Sequence, residues 1–579
     1  MAPSTAIPLD RIALTVGVVG HREFPSELDL QLRSAFATIL TTLSQAHPNS
    51  PVVVLSTLAT GAEILAAEVA QSLDVPVVAC LPRPAEAYGA GLSAPARTRF
   101  SAALERCSRV DLASSAPESA AREFEAGLYI ARYSHLMVAF WDGETGRSDD
   151  PTAGIVRARL SGAAAVETAL ADLAAVPDAG PVYHIVTHAR GEGGAEVPAS
   201  VVKLFPRRFS GDEDFERDFA RALASLDQYN RDLDRAGPRA GAAPTIDALR
   251  ERTGAVANEL QTTTFRFLYV LYVIAILATA AQYTTSQLLK YAMFPIAFGF
   301  YRIAKRFDYE NRYQDYRALS EGLRVQEAWF SAGLSGEQVD RCYLGMQEKE
   351  LQWIRMALRY AYFAFHDAAP SGQIGSAGTR AWIESQWHYF QTKPRREEQW
   401  LARLKLGVKI TFWIAVAVSL AIFAFLYLPT APQTLAAALA GLSKGAGISA
   451  ETSAWLRSLS HAAGGLQARW DSSALPRYAN VQPAEHAWLA RLSTGALALY
   501  AAIALLISNY CDKRAFAQNV KRYDRMFVVF DRAKQRLAAM PDPNTAPGRE
   551  VVRDLGRAAL IENADWLLTR RERPLAFVT

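Results

Sequence analysis

Cysteine is scarce. Four residues of 579 (Cys80, Cys107, Cys342 and Cys511) are scattered, with no CxxC pair and no His/Cys cluster. That excludes a disulfide scaffold and a structural zinc site, so no metal site is expected and a reducing cytosol suits most of the chain. An excess of one charge is missing too: Lys plus Arg is 62 and Asp plus Glu is 58, a net +4. This excludes a polybasic nucleic-acid binder and an acidic tail protein, and no nucleic-acid partner is expected. Charged residues reach only 21%, while apolar ones make up 50%. A chain with that balance buries a large core instead of staying disordered. A signal peptide is not expected either. The first apolar run, Ile12–Val19, follows Asp10-Arg11 and ends in Gly20-His21-Arg22, not in a small-residue cleavage site.

The first 200 residues alternate in type. Short Val/Ile-rich runs at 12–19, 52–56, 75–81, 136–141 and 182–187 lack period-2 polarity, as strands covered on both faces do. Helical stretches fall between them. The alternation predicts an α/β domain with a doubly wound parallel sheet. After a Gly/Pro/Arg-rich connection, Phe215, Phe219, Leu223, Leu226, Tyr229 and Leu233 mark one face of an amphipathic helix, and 236–244 reads as a hinge.

Charge then thins out. Residues 267–283 carry none, 288–304 carry Lys290 and Arg302 near their ends, 406–428 carry Lys409 only, and 493–508 carry none. About 20 apolar residues cross a bilayer, so four transmembrane helices are predicted in an all-α membrane domain; the competing reading is two buried hairpins. Lys305, Arg306, Arg395, Arg396, Lys513 and Arg514 flank these runs. Basic flanks mark the cytoplasmic side. Both termini are therefore expected inside, with 429–492 as an extracytoplasmic loop. Each hairpin is followed by a basic, aromatic amphipathic helix, a weak internal repeat. The expected organisation is a ligand domain at 1–200, an amphipathic helix and linker at 201–262, a first hairpin with cytoplasmic helices at 263–400, and a second at 401–579. Mostly aliphatic spans build no hydrophilic pore within one chain, so homo-oligomerisation in a lipid bilayer is expected.

Candidate chemistry sits at strand ends. Gly20-His21-Arg22 closes the first strand. Ser56 and the turn through Gly61, Ala62 and Glu63 close the second; Asp142-Gly143 closes the fourth, with Gly146, Thr152 and Gly154 leading into a helix. Small residues admit a ligand to the backbone, helix N-termini favour anions, and Arg22 suits a phosphate. In a doubly wound sheet these turns share the carboxyl edge. His21 is either a phosphate contact or a turn residue, and Glu63 and Asp142 are either ribose-hydroxyl acceptors or caps. No catalytic residue is assigned.

The segments Gly-Val-Val-Gly-His-Arg (17–22), Leu-Ser-Thr-Leu-Ala-Thr-Gly-Ala-Glu (55–63) and Ala-Phe-Trp-Asp-Gly (139–143) with Thr152-Ala153-Gly154 resemble the SLOG superfamily. That superfamily is related to Lonely Guy phosphoribohydrolases and DNA-processing Rossmann-like domains. The C-terminal part is similar in architecture to SLATT membrane effectors. Together the resemblances imply an antiphage effector of the bacterial inner membrane. Its Rossmann-like domain would sense a nucleotide second messenger, of cyclic-nucleotide or ADP-ribose type, made by a partner enzyme, and no other cofactor is implied. One departure weighs against hydrolysis. With the hydrolase loop's Thr aligned on Thr152, Gly154 and Ile155 occupy the acidic positions, while Asp149 and Asp150 replace glycines. The alternative is a membrane-anchored phosphoribohydrolase.

Overall fold

The computed structural model describes residues 7–571 apart from 113–115, 117, 144–149, 163–178, 188–199, 208–210, 236, 238–243, 285, 344–347, 367–372, 375, 428–430, 445–448 and 472–486. Among the described residues, seven strands make one sheet: β1 (Leu14–Gly20), β2 (Val52–Ser56), β3 (Val77–Leu81), β4 (Ser108–Asp111), β5 (Leu136–Trp141), β6 (Val182–Val186) and β7 (Val201–Leu204). Their order is β4-β3-β2-β1-β5-β6-β7. All neighbours are parallel except β6 and β7. The strands β2, β3 and β5 are buried throughout, which explains their unbroken apolar runs. The edge strand β7 is mostly exposed and β4 is exposed at Arg109 and Asp111; lacking such runs, they are absent from the strand expectations above.

The crossovers are helical: α1 (Asp29–Ala46), α2 (Ala62–Ser72), α3 (Ala85–Ala90), α4 (Ala94–Leu104), α5 (Ser119–Tyr133) and α6 (Pro151–Ser161). Next come α7 (Asp212–Arg235), α8 (Ile246–Ala281), α9 (Gln287–Arg306), α10 (Tyr309–Ser331), α11 (Val339–Cys342), α12 (Glu348–Phe365) and α13 (Ala377–Tyr427). The series ends with α14 (Ala431–Leu442), α15 (Ala450–Asp471), α16 (Ala487–Arg514), α17 (Phe516–Ala539) and α18 (Ala546–Arg571).

The chain divides into two compact units. The first comprises Met1–Gln261, Glu310–His388 and Met526–Glu572, so the sheet shares its unit with helices distant in sequence. Helix α7 joins the amino edge of the sheet. Its buried Asn230 donates to the Ile12 carbonyl at 2.8 Å and to Ser50 at 2.9 Å, and accepts from the Ile12 amide at 3.1 Å. One side chain thereby satisfies the backbone just ahead of β1. His135, just ahead of β5, accepts from the Thr15 amide through Nδ1 and donates through Nε2 to the Met356 carbonyl of α12. Burial pushes its pKa down to about 3, keeping it neutral.

A buried ion cluster completes this edge. Asp340 of α11 accepts from Arg132 of α5 at 2.9 Å and from Arg359 of α12 at 3.0 Å. Arg132 also donates to Gln338 at 2.7 Å. Elsewhere in the unit, Trp329 of α10 donates to the Val552 carbonyl of α18 at 3.4 Å.

The second unit includes Thr262–Tyr309 and Tyr389–Arg525. Its helices carry apolar side chains outward, with Trp413 66% and Leu288 82% exposed. The helix pair α8 and α16 is joined by Tyr272 donating to Asn509 at 2.7 Å and by the Tyr269–Tyr510 hydroxyl pair at 3.1 Å. Stretches within α8, α13 and α16–α17 are long and apolar enough to cross a membrane. Helix α9, expected as a fourth span, has 20 residues with Pro295 inside, and is not among them. Its Lys290 and Arg302 lower its hydropathy and Pro295 removes a backbone donor. The expected loop at 429–492 holds α14 and α15. Three membrane-length helices make this a membrane protein by length and composition.

Burial alone would raise the Asp340 pKa, but Arg132, Arg359 and Arg355 outweigh it and hold the carboxylate at about 2. With the folded value below the unfolded one, this contribution is complete above about pH 4 and fades as pH falls toward 2. Asp340→Asn removes the carboxylate charge that two buried guanidinium groups share, so it should cost about 3–5 kcal/mol. Thermal or denaturant unfolding of the detergent-solubilised protein at pH 7 measures the loss; a midpoint unchanged from wild type contradicts this account.

Candidate functional site at the carboxyl edge

The chain runs from β1 outward through β2, β3 and β4, then returns to place β5 on the other side of β1. Neighbouring crossovers diverge at β1 and β5, and such a switch point opens a crevice at the carboxyl ends of the two strands. The turn after β1 is fixed from both sides. The His21 amide donates to the Phe140 carbonyl at 3.0 Å, and the Ala62 amide donates to the His21 carbonyl at 3.1 Å. Gly61 has φ +80°, and a Cβ there would strike the backbone of His21 and Arg22. A Cβ on Gly20 would lie 2.6 Å from that of Ala62 and 2.8 Å from that of Phe140. These small residues let the turns after β1 and β2 touch each other. Their absence of bulk is used by the protein itself, where the sequence pointed to ligand approach.

Beside them lies a buried polar group. Thr57 donates through its hydroxyl to the Glu63 carboxylate, and Ser56 donates to the Glu63 carbonyl at 3.2 Å while accepting from the Leu58 amide at 3.0 Å. Burial raises the Glu63 pKa to about 7, against the bonds from Thr57 and Ala59 and the charge of Arg22. Tyr88 is also there: burial and the Glu63 charge push its hydroxyl up to about 12. At the rim, Arg22 pairs with Glu123 of α5, its own side chain 64% exposed.

On the other side of this edge, β5 is followed by Asp142 and by Gly143 at φ +87°. Asp150 then organises the start of α6. Its Oδ1 accepts from the Thr152 amide at 2.9 Å, its carbonyl accepts from the Gly154 amide at 3.1 Å, and its Oδ2 accepts from Trp141 Nε1 at 2.9 Å. His21 Nε2 is 3.3 Å from the same Oδ2. One ligand-type atom each from His21, Asp142 and Asp150 lies within 4.8 Å of the others.

The structure thus gathers Gly20, His21, Arg22, Ser56, Gly61, Ala62 and Glu63 at the β1 and β2 turns, with Asp142 and Gly143 opposite. Thr152 is buried in the first turn of α6. At Gly154, also in the first turn of α6, a Cβ would sit 3.0 Å from Phe124, in the α5–α6 packing. Gly146 lies outside the described residues. Sequence reading assigned no role to Glu123, Trp141 or Asp150, whose partners here include residues up to 129 positions away. Both helix N-termini expected to hold an anion are partly closed by internal acceptors, His21 and Ala59 carbonyls for α2 and Asp150 for α6. What the edge presents is carboxylate-rich. No family model matches this chain, and no curated protein matches it.

A carboxyl with its folded pKa raised holds a proton that the unfolded chain has released. Stability should therefore fall as pH rises from about 4.5 to about 7, by about 3 kcal/mol in all, and level off above. Glu63→Gln should flatten that interval. Unfolding midpoints of the two proteins across this range measure the difference, and parallel curves would refute the burial argument.

Proposed function

We propose that this chain is a ligand-gated membrane effector. On this reading a nucleotide-derived signal of cyclic-nucleotide or ADP-ribose type binds at the β1/β5 crevice and changes the state of the membrane helices. The observation that carries the reading is a topological switch point between β1 and β5, with polar groups at their carboxyl ends, in the same chain as three membrane-length helices. The SLOG-like segments 17–22, 55–63 and 139–143 lie on that edge, which supports the nucleotide class and, through the SLATT-like architecture, a role in antiphage defence. In this proposal α9 pairs with α8 as a fourth span, both termini lie in the cytoplasm of a bacterial cell, and self-association supplies the permeation path.

Helix α5 gives the signal a physical route within the first unit. Glu123 near its start pairs with Arg22 at the ligand edge, and Arg132 near its end pairs with Asp340 at the opposite edge. They are nine positions apart along the helix, about 14 Å. A ligand that competes for Arg22 alters one end of a rigid element whose other end is tied to α11 and α12. Such coupling requires different ligand affinities in two states of the assembly.

Glu63 favours a second reading. A buried carboxyl with pKa near 7 is suited to general acid–base work, as in a phosphoribohydrolase. One experiment separates the two: proteoliposomes loaded with a dye and exposed to ADP-ribose and to a set of cyclic nucleotides, with the products analysed. Leakage that rises with one nucleotide, and no release of base, is the expected result. Leakage unchanged by every nucleotide contradicts the effector reading, and base release favours the enzyme.

A further inference from the structure

The carboxylate-rich edge raises a chemical problem. A phosphate-bearing ligand approaching β1 and β5 meets Asp142 and Asp150 at helix and strand ends whose amides are already partly engaged. A divalent cation reconciles the two, because it is the largest local charge wherever it binds. The donor set fits one. Ligand atoms held at about 2.0–2.2 Å around a single ion sit about 3.0–3.5 Å apart, and His21 Nε2 lies 3.3 Å from Asp150 Oδ2, with Asp142 completing a triad inside 4.8 Å.

The donors are also held from outside the triad. Trp141 Nε1 and the Thr152 amide orient the two oxygens of Asp150, each at 2.9 Å. The backbone of His21 is bonded on one side to Phe140 and on the other to Ala62. Trp141 is itself braced by His184, 5.2 Å away between ring centroids and bonded through Nε2 to the Trp141 carbonyl at 2.8 Å. Outer partners of this kind fix the orientation of metal ligands.

We propose that His21, Asp142 and Asp150 bind one divalent cation of the Mn2+ or Zn2+ class at the β1/β5 crevice. One imidazole with two carboxylates favours these ions over Mg2+ and Ca2+, which prefer all-oxygen sites. Three protein ligands leave coordination positions open. Filling one of them with a ligand phosphate oxygen is the part that rests on the nucleotide reading; the metal site does not. Expectation of no metal came from local ligand spacing, and this triad joins residues more than 120 positions apart in the chain, from 21 to 142 and 150.

The test uses the full-length protein in detergent, stripped with chelator and titrated with Mn2+ alone. Electron paramagnetic resonance should show a single bound Mn2+ per chain, displaced by Zn2+, with 14N modulation from an imidazole in the pulsed spectrum. His21→Gln and Asp150→Asn should each weaken binding by at least about tenfold; Asn retains an acceptor for the Thr152 amide. Asp111→Asn, at the end of β4, should leave binding unchanged. No bound Mn2+, bound Mn2+ without the 14N signature, or full binding in either site variant overturns the proposal and leaves a plain His21–Asp150 hydrogen bond. The 14N measurement needs no variant, so misfolding of a mutant does not decide the matter. With the metal as probe, failure here is separate from failure of nucleotide binding.

Discussion

Every feature of the first unit depends on strand β1 being covered on all sides. It pairs with β2 and β5 along both edges, and Val16, Val18 and Val19 are buried to within 1%. A parallel strand so enclosed forces its connections to the two ends of the sheet. The amino end is sealed by helices, through Asn230 on Ile12 and His135 on Met356. The carboxyl end is left to loops. Burial of one strand thus separates an edge built of loops from an edge packed against the helical layer, with α5 alongside connecting them.

Electrostatics differ sharply between those two ends. At the amino end a lone carboxylate, Asp340, gathers guanidinium groups from two other helices in a nearly dry setting. Removing it takes away the one opposite charge these two guanidinium groups share, which makes the cluster a registration point more than a source of net stability. At the carboxyl end the carboxylates outnumber exposed cations among the described residues named here, and Glu63 avoids the cost of burial by holding a proton near neutral pH. The two ends respond to pH in opposite directions: the Asp340 contribution grows as acid is removed, while that of Glu63 declines.

What the sequence made legible follows from range. Strands with unbroken apolar runs, such as Val52–Ser56 and Leu136–Trp141, are recognisable because burial on both faces writes itself into consecutive residues. The edge strands β4 and β7 carry no such mark. The small residues at 20, 61 and 62 were visible, but their use was not, because the surface that Gly61 accommodates is the chain itself at His21 and Arg22. Asp150, Glu123 and Asp340 act through partners 129, 101 and 208 residues away. No local pattern announces such pairs. The membrane helices were legible by length and absence of charge, except that α9, with Pro295 inside and Lys290 and Arg302 near its ends, is too weak a signal to stand alone.

The proposed function stands or falls on whether a nucleotide-derived ligand binds at the β1/β5 carboxyl edge. Photo-crosslinking the full-length protein with an azido derivative of ADP-ribose, followed by mass-spectrometric mapping of the labelled residues, tests it most directly. Labels confined to the turns at 20–22, 57–63 and 142–143, and removed by excess unmodified nucleotide, are the expected result. Competed labelling at the opposite edge, around Arg355 and Arg359, or in the membrane helices, would contradict it.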